Sequence, residues 1–218
     1  MISDFMENLQ ALYEAVLHSN MDKAVTVTRE ALQEGMSPKA LIDDYMTPAM
    51  EEVGRRFERQ EAFVPELLMA GRAMKGALEV LKPAMQGQAS SYLGRVVIGT
   101  VKGDLHDIGK NLVASMLEGC GFEVINLGTD VSAERFVQTV RDNEVDILGM
   151  SALLTTTMSY MKEVIDALKS ARLRDKVKVM VGGAPVTEQF ARQIGADGYS
   201  ENANTAVIMA KALLGHGG

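Results

Sequence analysis

Gly99-Thr-Val-Lys-Gly-Asp104-Leu-His106-Asp-Ile-Gly109-Lys-Asn111 joins a β-branched apolar run, Val96-Val-Ile98, to an amphipathic stretch over 111–118. Strand, loop and helix follow one another here, so His106 is expected in the loop at the carboxyl end of a strand. Open α/β sheets place their ligand chemistry at that end. Asp104 stands two residues before the histidine. From there its carboxylate can hold one ring nitrogen and leave the other free for a metal.

The pattern continues on the C-terminal side. Apolar runs predict strands over 95–101, 122–127, 146–151, 178–182 and a short 198–200. Helical spacing predicts helices over 108–119, 132–143, 158–171, 187–194 and 203–214, with Ser132 and Thr187 as N-caps. Strand–helix alternation of this kind implies a parallel, doubly wound sheet joined by right-handed crossovers. A five-stranded flavodoxin-like (Rossmann-like) α/β domain over 92–218 is expected, with its crevice beside the loop that follows the first strand.

Residues 1–88 read differently. Apolar residues recur at three- and four-residue spacing over 3–18, 21–34, 38–58 and 65–85, which predicts a four-helix bundle. Pro38 and Pro65 fall at helix first turns, and Gly35 follows a helix end. The small, polar stretch 87–91 is the expected linker between this helical cap domain and the sheet domain.

Composition narrows the function classes. The chain has 218 residues, 47% of them hydrophobic, and a formal charge of −7. That acidic balance argues against nucleic acid as a partner, since phosphate binding needs concentrated Lys and Arg. No apolar stretch approaches the roughly 20 residues of a membrane span, and the start shows no basic-then-apolar signal pattern. One cysteine, Cys120, excludes an internal disulfide and predicts a cytoplasmic protein, with Cys120 as buried filler late in a helix face. The 15 methionines suit packing around an irregular object and equally well plain core filling.

The chain has three histidines, His18, His106 and His216, and no CxxC or HExxH spacing. A closed zinc site needs about four protein ligands. A metal on His106 therefore requires a partner that brings its own coordination sphere, such as a macrocyclic cofactor. Two further signals fall at the same predicted sheet edge. Ser151-Ala-Leu153-Leu-Thr155-Thr156-Thr157 is dense in hydroxyls, and Gly182-Gly183-Ala-Pro would let a ligand approach the backbone closely. Each alone reads as a cap or a turn; together with Gly109 at a helix entrance they predict a binding crevice.

Asp104-x-His106-x-x-Gly109, followed by Ser151-x-Leu153 and Gly182-Gly183, resembles the signature of cobalamin-binding domains that hold the cofactor base-off, with histidine on cobalt. The helical half, through Val53-Gly-Arg-Arg-Phe57-Glu58 and Phe63-Val-Pro-Glu-Leu67, is similar to the cap of methionine synthase. Length and order together resemble the free-standing corrinoid proteins of methylamine and related methyltransferase systems. The resemblance implies a cobalamin or related corrinoid cofactor, carried as methylcobalamin. His106 would be the axial cobalt ligand, hydrogen-bonded to Asp104, with Thr157 further along the relay where methionine synthase has serine. The cofactor would be lined by Gly103, Asp104, Leu105, His106, Asp107, Gly109, Ser151, Leu153, Thr155, Gly182, Gly183 and Ala203, with Phe63 shielding its upper face.

The function implied is a methyl carrier without a substrate site of its own. It would pass a methyl group from a substrate-specific methyltransferase (for methylamine, methanol, betaine or a methoxy compound) to a second methyltransferase serving a thiol coenzyme or a folate. A reductive activation protein is a further possible partner; nucleic acid and membrane are not expected. The nearest alternative is the cobalamin-binding subunit of an adenosylcobalamin-dependent isomerase, which shares the Asp-x-His-x-x-Gly signature. A light- or cobalamin-sensing regulator and a cofactor-free signalling domain are more distant alternatives.

Overall fold

A computed structural model describes residues 2–85 and 92–216, with side chains from residue 10 onward. The expected linker, 87–91, lies outside the described residues. The chain divides into two compact units, Met1–Ser91 with Glu118–Gly121, and Tyr92–Leu117 with Phe122–Gly218.

In the second unit, β1 (Arg95–Thr100), β2 (Glu123–Asn126), β3 (Ile147–Ser151), β4 (Lys178–Gly182) and β5 (Gly198–Ser200) form one parallel sheet in the order β2-β1-β3-β4-β5. This is the flavodoxin-like order, and its switch point falls between β1 and β3. The first, third and fourth strands are almost wholly buried, which is why they read as unbroken apolar runs. Val97, Leu148 and Val179 pack on one face with Phe136, Val140, Met161, Ile165 and Leu168. Each large side chain so buried stabilises the fold by about 1.5–3 kcal/mol. Gly99 belongs to this packing, because a Cβ there would stand 2.8 Å from the Phe136 ring.

The connecting helices are α6 (Ile108–Gly119), α7 (Ala133–Asp142), α8 (Ser159–Ser170), α9 (Glu188–Ile194) and α10 (Ala203–Leu213). Ser132 and Thr187 accept the Arg135 and Phe190 N–H groups as N-caps, and Asn202 does the same for Thr205 at the start of α10. The second strand is shorter than its apolar run suggests. Helix α6 stops at Gly119, so Cys120 is buried in the turn that follows rather than on a helix face.

The first unit holds α1 (Ile2–Leu17), α2 (Met21–Gln33), a broken helix, and α5 (Val64–Leu81) running into a 3₁₀ turn at Lys82–Met85. Leu12, Val16, Leu41, Met46, Met50, Leu67, Met74 and Leu81 form its buried interior. The stretch 38–58 departs from one regular helix: α3 (Pro38–Leu41) and α4 (Thr47–Glu58) are separated by a π turn over Ile42–Met46. Pro48 accounts for it. Proline has no N–H to donate and its ring would strike a carbonyl one turn back. Widening the turn, with the Thr47 N–H donating to the Ile42 carbonyl, lets the helix continue past it. No described helix is long and apolar enough to cross a membrane.

Candidate functional site

The parallel register aligns Thr100 with Ser151 and Ser151 with Gly182, so the loops after β1, β3 and β4 leave the sheet at one edge. The loop after β1 carries Gly103 to Asp107, the loop after β3 carries Leu153 to Thr157, and Gly183 follows β4. Ala203, buried in the first turn of α10, follows β5 at the same edge.

Asp104 is the anchor of this edge. Its carboxylate is fully buried and accepts from five groups. Oδ1 takes the His106 ring Nδ1 at 2.7 Å and the His106 N–H at 3.1 Å. Oδ2 takes the Leu153 N–H at 2.7 Å and the Leu154 N–H at 3.2 Å. Thr157 Oγ1 lies 2.9 Å from Oδ2 and also 2.9 Å from the Leu154 carbonyl, so its single proton serves one acceptor at a time. Burial alone would raise the Asp104 pKa, but the bonds from Leu153, the His106 ring and backbone, and Thr157 outweigh it and hold the group well below the usual carboxylate range.

An ionised carboxylate can only accept, so the proton of neutral His106 sits on Nδ1 and Nε2 keeps its lone pair. The His106 side chain is 51% exposed, and none of the described residues pairs with Nε2. The same two loops and the first residue of α6 expose Leu105, Leu153, Leu154 and Ile108, with Leu105 at 74% and Ile108 at 87%. Among the described residues no group of three or more His, Cys, Asp and Glu comes together to hold a metal. One oriented imidazole inside an aliphatic rim fits a metal that arrives with its other ligands in place, and does not fit a protein-enclosed ion.

Other residues anchor the His106 loop itself. Thr100 Oγ1 donates to the His106 carbonyl at 2.8 Å, and Asp130 Oδ1 accepts the Gly103 N–H at 2.7 Å. Asp107 accepts from Asn111 through both its carbonyl and its carboxylate. The contributions of Thr100, Asp130 and the Leu154 N–H are not readable in the sequence, because they depend on strand order and backbone direction.

Gly182 and Gly183 have a reason within the chain. A Cβ on Gly182 would lie 2.9 Å from the Ser200 carbonyl, and one on Gly183 would lie 1.9 Å from the Ala152 carbonyl, with φ at +128°. Gly183→Ala is therefore expected to destabilise the sheet unit by about 2 kcal/mol or more, read from its urea midpoint. An unchanged midpoint would mean the β4 turn relaxes freely. At Gly109, by contrast, a Cβ would meet nothing within 4 Å. Ser151 ends β3 half-buried, and Thr155 is exposed. Phe63 belongs to the helical unit; its N–H donates to Glu66 Oε2 at the start of α5, and its ring is largely exposed.

A carboxylate-anchored imidazole at the switch point of this sheet fits a protein that binds a cofactor at this edge. Models of the B12 binding domain match residues 94–208 and 9–82. The chain is 46% identical over 209 residues to a dimethylamine corrinoid protein of Methanosarcina barkeri, covering 95% of this chain and 98% of that one. It is 47% identical over 193 residues to trimethylamine corrinoid protein 2 of Methanosarcina mazei, covering 88% of each. The methanol:cobalamin methyltransferase complex of Methanosarcina barkeri contains a chain of similar structure, with TM-score 0.81, 33% identity, and coverage of 96% of this chain and 80% of that one. The chain belongs to the B12-binding family, as a corrinoid protein of a methyltransferase system, and its cofactor is cobalamin or a related corrinoid.

Proposed function

We propose that this protein carries a methyl group on the cobalt of its corrinoid from a methylamine-specific methyltransferase to a second methyltransferase, which hands it to a thiol coenzyme or a folate. When bound, the corrinoid supplies a cobalt atom that accepts and releases the methyl group. The chain's own residues do the rest. His106 Nε2 would hold the cobalt, and Asp104 keeps the proton on Nδ1 so that Nε2 stays available. The Thr157 hydroxyl and the Leu153 and Leu154 N–H groups keep Asp104 ionised and still. With the corrinoid seated on them, Leu105, Ile108, Leu153 and Leu154 would exclude water around the imidazole, while Gly103, Asp107, Gly109, Ser151, Thr155, Gly182 and Gly183 would line the cofactor. Ala203 and Phe63 would be further cofactor contacts, and a reductive activation protein would be a further partner.

The observation that supports this reading is the outward Nε2 of an imidazole fixed by a buried carboxylate. Preference for methylamines follows the relatives named for dimethylamine and trimethylamine, at 46% and 47% identity, against 33% for the methanol complex. The test loads the full chain with cobalamin, reduces it, and adds dimethylamine-, trimethylamine- or methanol-specific methyltransferase with its substrate. Stoichiometric release of the demethylated amine, dependent on the loaded protein, is the expected result. Turnover with methanol alone, or with none of the three, would overturn the assignment.

A further inference from the structure

Lys110 is a buried cation that the proposed chemistry does not use. It is 3% exposed, lies in the first turn of α6, and enters no ion pair among those of the described residues. Each of these facts costs stability. Removing an ammonium from water is expensive, and the N-terminal end of a helix repels positive charge. Burial pushes the Lys110 pKa down, and the Asp107 charge partly restores it. A leucine or methionine would fill the space without either penalty.

The geometry around the ammonium offsets these costs. Nζ donates to Asn126 Oδ1 at 2.7 Å and to Asn111 Oδ1 at 2.5 Å. Asn126 ends β2, and its Nδ2 donates to Asn111 Oδ1 at 3.0 Å. Asn126 Oδ1 also accepts the Gly128 N–H at 3.0 Å, and the Gly128 carbonyl accepts the Thr100 N–H at 2.9 Å. Thr100 Oγ1 then donates to the His106 carbonyl. Four residues of chain lead from His106 back to Lys110, which closes a circuit through the end of β2, the end of β1 and the start of α6. On the other branch, Asn111 Nδ2 donates to Asp107 Oδ2, the residue next to His106.

We infer that Lys110 is a positioning residue for the His106 imidazole: through Asn126 and Asn111 it clamps both ends of the loop that presents Nε2 to the cofactor. The inference rests on His106 being the cobalt ligand. An ammonium suits the task because one group can donate to two amide oxygens on different elements, which no apolar side chain of that length can do.

The test uses full-length protein loaded with methylcobalamin and compares Lys110→Met and Asn126→Ala with the unaltered chain. Visible absorption reports the share of cobalt carrying imidazole rather than water, and urea unfolding of the cofactor-free proteins reports stability. Both variants should raise the water-ligated share about tenfold, the scale on which outer partners of a metal ligand act. If Lys110→Met fails to fold, Asn126→Ala decides, since Asn126 is exposed and breaks the same circuit from β2. Variants that lose stability but keep the unaltered spectrum would make Lys110 a core residue and overturn the inference. A spectral change in Lys110→Met alone would overturn it too, because the circuit runs through Asn126. An unaltered chain that shows no imidazole-ligated spectrum would instead overturn the ligand assignment itself, and this inference with it.

Discussion

His106→Ala or His106→Gly is expected to abolish the imidazole-ligated spectrum of the loaded protein and leave the cobalt water-ligated. The loss should be complete, because no second histidine can substitute. His18 pairs with Glu14 in the helical unit. His216 lies against the Leu93 carbonyl at 2.9 Å, just before β1 and so at the opposite edge of the sheet. Imidazole added to His106→Gly should recover part of the spectrum by filling the vacated volume, whereas added pyrrole, which has no lone pair free to ligate, should not. A variant spectrum identical to that of the unaltered protein would exclude His106 as a cobalt ligand. The change reads ligation directly and does not depend on any partner enzyme being active.

Asp104→Asn should have the second-largest effect, and it acts on the empty protein as well as the loaded one. The carboxylate faces donors on both sides: the His106 ring and N–H at Oδ1, and Leu153, Leu154 and Thr157 at Oδ2. An amide must turn its NH₂ toward one set, leaving buried donors opposed to donors. Either orientation is expected to cost about 3 kcal/mol, the range for breaking a buried charged hydrogen-bond group from one side. Urea unfolding of the cofactor-free protein should show the loss, and methylcobalamin loading should show a reduced imidazole-ligated share. Stability equal to that of the unaltered chain would mean that the buried carboxylate is not the anchor described above.

Much of the architecture was legible along the chain. The runs 178–182 and 198–200 coincide with β4 and β5, and Ser132 and Thr187 cap the helices expected of them. Such features are local: strand burial writes an apolar run, and a cap needs one side chain and the next turn of backbone. The π turn at Ile42–Met46 was not legible, because helical periodicity over 38–58 survives a single widened turn. The glycine pair at 182–183 was readable as an open approach for a ligand, yet contact with the Ala152 and Ser200 carbonyls already requires it. Lys110 carries no mark in the sequence that it is buried, since its spacing is that of any helix residue.

Residues 104 and 106 are near neighbours, so the carboxylate–imidazole pair could be inferred from spacing. The donors that hold Asp104 from the other side lie 49, 50 and 53 positions away, in the loop after β3, a strand whose place beside β1 depends on the crossover. Short-range order is written in periodicity because neighbouring residues share one helix or strand. Whether the imidazole is fixed, and which nitrogen it turns outward, depends on parallel strands in register, an arrangement that exists only once the chain has folded.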